Sequence, residues 1–173
     1  MTVKQNYKGW RVHSDGWVIK PNGQFFRGHF KTNTNNNGGN PKLYWCVNLA
    51  KRPHRVHRLI AKALVKNDYP DVCKEVDHIN GDSLDNRTCN LRWCTHAINL
   101  LNQKNNPHLN KTGTRWVASA CNTHLGTYDT KEEARAVVKK FKDEKEARLW
   151  AEVKKAQFVI DVGKEQSSFS VVD

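Results

Sequence analysis

The chain has 173 residues, 38% of them hydrophobic, and a mean hydropathy of −0.79. That length allows one large domain or two to three small modules, and the polarity favours small cores joined by loops. Lysine and arginine number 29 against 17 acidic residues, a net charge of +12. A surplus of that size points to an anionic partner, with nucleic acid first and an anionic membrane surface second. No apolar run approaches the roughly 20 residues that span a bilayer, and the N-terminus has no hydrophobic signal segment. Five cysteines without framework spacing read as reduced thiols in a cytosol.

The charge is lopsided. Residues 1–70 hold 13 basic and 2 acidic side chains, residues 71–110 hold 4 and 5, and residues 111–173 hold 12 and 10. Lys8, Arg11, Lys20, Arg27, Lys31, Lys42, Lys51, Arg52, Arg55 and Arg58 therefore become candidate phosphate contacts. The near-neutral middle suits a metal site better than a phosphate clamp.

In chain order, residues 7–30 alternate Trp10, Val12, Trp17, Ile19 and Phe25 with polar residues. Turn signals at Ser14-Asp15-Gly16 and Pro21-Asn22-Gly23 predict two or three short strands. Residues 31–42 read as an Asn/Gly loop, 43–49 as a strand, and 56–65 as a helix with Leu59, Ile60, Ala63 and Leu64 on one face. Residues 102–113 are almost free of apolar side chains and read as a linker. Residues 114–130 form a short ribbon with a turn at Cys121-Asn122. Thr130 and Glu133 make a capping box that opens a helix. That helix is expected to run to about residue 156, with a loose tail after it.

The informative block is residues 76–102, VDHINGDSLDNRTCNLRWCTHAINLLN. Asp77 and His78 place a hard oxygen ligand beside an imidazole. A loop through Asn80-Gly81-Asp82 and Asp85-Asn86 leads to a second strand at Asn90–Cys94. Thr95 can N-cap a following helix that carries Ile98, Asn99 and Leu101. Strand, loop, strand and helix fold back so that Asp77, His78, Asn90 and Asn99 can converge. Asp82, Asp85 and Asn86 read as turn formers, and His57 as a structural residue of the preceding helix. No CxxC pair is present, so a structural zinc is not expected.

This block, with Val56-His57-Arg58-Leu59 before it, resembles the HNH endonucleases, specifically the phage homing type. The resemblance covers about 45 residues. It implies a ββα-metal site in which Asp77 and Asn99 bind one divalent cation, His78 is the general base, and Asn90 accepts a hydrogen bond from the other imidazole nitrogen. Oxygen ligands suit Mg²⁺ or Mn²⁺. Arg92 is a further candidate for a phosphate.

The C-terminal stretch is similar to the ethylene-response (APETALA-like) DNA-binding domain, a three-stranded sheet on a helix. The matching residues are Trp116 and Ala118, His124 to Thr130, and Glu132-Glu133-Ala134. Here Arg115 and Trp116 would contact DNA. The sequence departs from that pattern, because the first strand has almost no room between Thr112 and Trp116.

The expected architecture is α+β, modular and elongated. It comprises a β-rich DNA-binding region (1–52), a nuclease core (53–104), a linker (105–113), a sheet-plus-helix module (114–160) and a tail (161–173). The expected activity is metal-dependent hydrolysis of a DNA phosphodiester, leaving a 5′ phosphate and a 3′ hydroxyl. One site per chain predicts a nick, made by a monomer on double-stranded DNA in a host cytosol, with no membrane partner. The competing readings are a non-cleaving DNA-binding protein or decayed nuclease, and an RNA-binding protein that uses the same basic N-terminus.

Overall fold

The structure is a computed structural model that describes residues 3–5, 9–33, 42–102 and 109–169. Lys8, the side chain of Lys42, most of the 31–42 loop and the first part of the linker lie outside the described residues. The chain divides into two compact units, Met1–Pro70 with Lys74–Cys94, and Asp71–Cys73 with Thr95–Asp173. Strands and helices are mixed in the α+β manner expected. Among the described residues no helix is long and apolar enough to cross a membrane.

The first unit begins with a four-stranded antiparallel sheet of short strands, β1 (Val3–Gln5), β2 (Arg11–His13), β3 (Val18–Ile19) and β4 (Phe25–Phe26), in that order. Gly16 and Gly23 sit at the two predicted turns with φ of 88° and 84°, a region open to glycine at little cost. A second antiparallel sheet joins β5 (His29–Asn33), β6 (Lys42–Leu49) and β7 (Arg52–Arg55). β7 runs directly into helix α1 (Val56–Leu64), and a two-stranded hairpin follows, β8 (Glu75–His78) with β9 (Leu91–Cys94).

These pieces share one core. Val12 and Val18 of the first sheet, Val47 and Leu49 of β6, Val56 and Ile60 of α1, and Val76 and Leu91 of the hairpin form a single cluster. The N-terminal strands and the start of the expected nuclease core therefore share one core within one compact unit. Removing Ile60, which is fully buried, by Ile60→Ala would cost about 2–5 kcal/mol. The buried stripe of α1 is Val56, His57, Ile60 and Ala61. It is rotated from the expected face, because both the sheets and the hairpin press on the side that carries His57.

The second unit contains α2 (His96–Asn102), a three-stranded sheet of β10 (Leu109–Thr112), β11 (Arg115–Ala120) and β12 (Thr123–Tyr128), and the 39-residue helix α3 (Lys131–Phe169). The first strand of this sheet is present after all. It occupies the end of the segment read as linker, and it was illegible because Asn110, Lys111 and Thr112 are polar and exposed. Thr130 and Glu133 form the predicted capping box, with reciprocal bonds of 3.2 and 3.3 Å. Ala118, Ala120, Ala134 and Val138 make the core between sheet and helix.

α3 does not stop near residue 156, and it passes through the expected tail as far as Phe169. Polar contacts hold this extension. Buried Gln157 accepts from the Asp71 backbone N–H at 3.2 Å and donates to the Asp71 and Asp161 carboxylates at 3.0 and 2.9 Å. Lys164 reaches the same Asp71 oxygen at 2.6 Å.

Candidate active site

The β8–β9 register places Asp77 opposite Arg92, and His78 opposite Leu91. Side chains alternate faces along a strand, and directly opposed residues share one. His78 therefore falls on the side of the core residue Leu91 and is 7% exposed. Asp77 falls on the other side with Arg92. There the Nε and Nη2 of Arg92 both lie 3.0 Å from Asp77 Oδ2. Arg92, expected at a phosphate, is thus engaged with the candidate metal ligand.

The twelve residues between the strands are held by side chains. Asn80 Oδ1 accepts from the Asp82 N–H at 2.7 Å and Asp82 Oδ1 from the Leu84 N–H at 3.0 Å. Such Asx turns are why Asn and Asp recur here. Asp85 takes Arg87 in a two-pronged pair at 2.8 and 2.7 Å. Arg87 is the main reason its carboxyl is lowered to about 2.

Asn90 has a different role from the one expected. Its Oδ1 accepts from the Asn80 backbone at 3.0 Å, and its Nδ2 donates to Asn80 Oδ1 at 3.0 Å and to the Asp85 carbonyl at 2.8 Å. It braces the loop and does not hold the imidazole. Asn86 takes that part. It is 3% exposed, and its Oδ1 lies 3.1 Å from His78 Nε2. An amide oxygen only accepts, so Nε2 carries the proton and Nδ1 is the basic nitrogen of the neutral ring. The sequence marked Asn86 only as a turn former, since Asp-Asn after a Gly-containing loop has the signature of a turn.

The N-terminal strands fix Asn86 in turn. The Thr88 N–H donates to the Ser14 carbonyl at 2.8 Å. A Cβ on Gly16 would stand 3.0 Å from the Asn86 carbonyl carbon, so the β2–β3 turn lies against the loop that carries Asn86. Ser83 also donates to the Leu43 carbonyl of β6 at 2.7 Å.

Burial lowers the pKa of His78 from its ordinary value, opposed by the Asn86 bond and by the charges of Asp77, Asp82 and Asp85. The ring is therefore neutral near pH 7. His57, read as structural, stands beside it with ring centroids 4.8 Å apart. Burial first, then His78, Arg55 and Arg58, lower its pKa to about 2. Tyr44 follows at 5.5 Å from His57, with the Arg55 guanidinium 4.5 Å above its ring. Nothing in the linear motif signals this file of rings, because Tyr44 lies on a strand of another sheet.

Asn99, the other expected metal ligand, lies on α2 in the second unit. That helix is capped as expected, the Ile98 N–H donating to Thr95 Oγ1 at 3.4 Å. Among the expected DNA contacts, Arg11, Lys51 and Arg52 are exposed. Lys20 bonds Gln24 at 3.0 Å, Arg27 lies 4.3 Å over the Trp17 ring, and Arg58 donates to the Lys74 carbonyl at 3.4 Å. Arg115 is paired with Asp129 at 2.9 Å. Trp116 is half-buried, packed on the second unit's core with Lys131 4.9 Å over its ring.

Residues 54–101 match the family model for the HNH endonucleases. An uncharacterized HNH endonuclease of Acanthamoeba polyphaga mimivirus is 42% identical over 72 residues, which is 42% of this chain and 18% of the relative. The chain thus spans less than a fifth of that protein. A solved structure on DNA binding and cleavage by the HNH homing endonuclease I-HmuI is similar at 25% identity, with a TM-score of 0.42, over 64% of this chain and 62% of that one. Residues 54–101 are thus the part of the chain that is similar to HNH endonuclease domains.

Proposed function

We propose that the protein is a homing-type endonuclease that hydrolyses a phosphodiester of double-stranded DNA, with His78 as general base. The observation that carries this reading is the buried His78–Asn86 pair at 3.1 Å. It fixes the tautomer in which Nδ1 can take a proton from an attacking water. Burial keeps that nitrogen unprotonated at neutral pH.

The chemistry of the donors fits a hard divalent cation, Mg²⁺ or Mn²⁺. Asp77 would supply its carboxylate ligand, and the resemblance adds Asn99. A bound cation would supply charge neutralisation at the phosphate and the departing 3′ oxygen. Arg92 shares Asp77 Oδ2 and keeps the carboxylate compensated and oriented. Asn90, which the resemblance gave a catalytic part, is reassigned to bracing the loop.

The exposed cations Arg11, Lys51 and Arg52 of the first unit, with half-buried Arg55, would bind backbone phosphates. The C-terminal sheet on its helix would be an ethylene-response-type clamp with Arg115 on its outer side. One site per chain gives a nick by a monomer. A non-cleaving DNA-binding protein is the second reading. One observation favours it, that Arg92 already neutralises Asp77.

Supercoiled plasmid incubated with the protein and Mg²⁺ or Mn²⁺ tests the choice. Nicked circles that form only without EDTA, and that DNA ligase reseals, are expected for 5′-phosphate and 3′-hydroxyl ends. Binding without nicking under any divalent metal would support the second reading.

A further inference from the structure

We infer that the face of the β5–β6–β7 sheet carrying Lys31, Tyr44, Cys46 and Arg55 is a subsite for a backbone phosphate of the DNA strand that reaches His78. The inference rests on the endonuclease reading above and adds a defined place on the protein where the strand is held.

Register builds the face. Lys31 pairs with Tyr44, and Cys46 with Arg55. The two-residue period puts all four on one side of the sheet. Val47 and Leu49, on the other side of β6, point into the core. The Lys31 face holds a hollow lined, among the described residues, by Lys31, Thr32, Tyr44, Cys46, Pro53 and Arg55. No carboxylate is among them.

Charge then says what the hollow accepts. Arg87, Arg92 and Lys66 of the same unit are paired with Asp85, Asp77 and Asp68. Lys31 and Arg55 form no ion pair among the described residues. Burial raises the Cys46 thiol pKa, and Arg55 and Lys31 both pull it back, so the two cations act on the same small volume. Two uncompensated cations over a polar concavity favour an anion. A guanidinium offers paired N–H donors that match phosphate oxygens. Arg55 is already held in place, 4.5 Å over the Tyr44 ring.

Position links the hollow to the chemistry. Tyr44, His57 and His78 stand in file at centroid separations of 5.5 and 4.8 Å. A phosphate on Lys31 and Arg55 would therefore lie two ring contacts away from the candidate base.

The test is the salt dependence of binding to a fluorescently labelled random-sequence duplex in EDTA, measured alongside plasmid nicking in Mg²⁺. Lys31→Gln and Arg55→Gln should each make the log–log slope shallower, and the double variant by about 0.9, the step for one phosphate. Arg55→Lys should keep the wild-type slope. Lys31 is exposed, so its replacement leaves the fold intact and the result interpretable. A wild-type slope in Lys31→Gln and in the double variant overturns the subsite. Nicking by wild type with unchanged slopes would sink the subsite and spare the endonuclease. Altered slopes without nicking by wild type would do the reverse, and a wild-type protein that binds no duplex overturns both.

Discussion

The β5–β6–β7 and β10–β11–β12 sheets are both three-stranded and antiparallel, yet they handle charge differently. The first presents Lys31 and Arg55 with no acidic partner among the described residues, around a hollow lined in part by Tyr44, whose ring is 5.5 Å from that of His57. The second turns Trp116, Ala118 and Ala120 onto α3, and its outward Arg115 is tied to Asp129 and to the Thr127 carbonyl. A cation already paired must break that pair before it grips a phosphate, whereas an unpaired one gains by binding. The number of cations in a segment therefore measures its grip less well than the number left uncompensated.

If the first unit holds the chemistry, its buried polar contacts should move rate. Asn86→Ala should lower plasmid nicking on the order of 10–100-fold, within what a general base contributes. Asn86→Asp should move the acid limb of the pH–rate profile upward, because a carboxylate favours the imidazolium. An Asn86→Ala enzyme with wild-type rate and profile would show that Asn86 is only structural.

If the second sheet is built around its own core, its aromatic should move stability. Trp116→Ala should cost about 2 kcal/mol, less than a fully buried tryptophan, in a chemical denaturation of the whole protein. A loss of DNA affinity at unchanged stability would instead make Trp116 a base or phosphate contact and erase the contrast between the sheets.

A smaller effect per step comes from His57. Its folded pKa is lowered to about 2, whereas the unfolded chain takes up a proton there near pH 6.5. The stabilisation is thus complete above pH 6.5. It is lost as pH falls below that, by up to about 1.4 kcal/mol per pH unit. Thermal midpoints between pH 8 and 5 should fall less steeply for His57→Phe than for wild type. Parallel curves would mean that His57 is not held neutral. Smallest of all, Arg115→Ala should change stability by no more than about 0.5 kcal/mol, as an exposed ion pair does.

Much of this was legible in the sequence. Turn residues marked the β2–β3 and β3–β4 turns, Thr130 and Glu133 marked the start of α3, and the VDH…NLRW block marked the hairpin that carries Asp77 and His78. Readings failed where polar side chains carry structure. β10 was hidden by exposed Asn110, Lys111 and Thr112. The end of α3 was hidden because Gln157 and Lys164 anchor it on Asp71 with hydrogen bonds and charge, which leave no apolar periodicity. The exchange of roles between Asn86 and Asn90 was also beyond reach. Two asparagines four residues apart differ only in which way the loop turns them, and the close approach of Gly16 to the Asn86 backbone bears on that.

The measurement that bears most directly on His78 as the base compares wild type with His78→Ala on supercoiled plasmid in Mg²⁺, alongside a gel shift in EDTA. Nicking should fall by at least about 10², while DNA affinity and its salt slope stay at the wild-type values. A His78→Ala protein that nicks as fast as wild type would contradict the assignment.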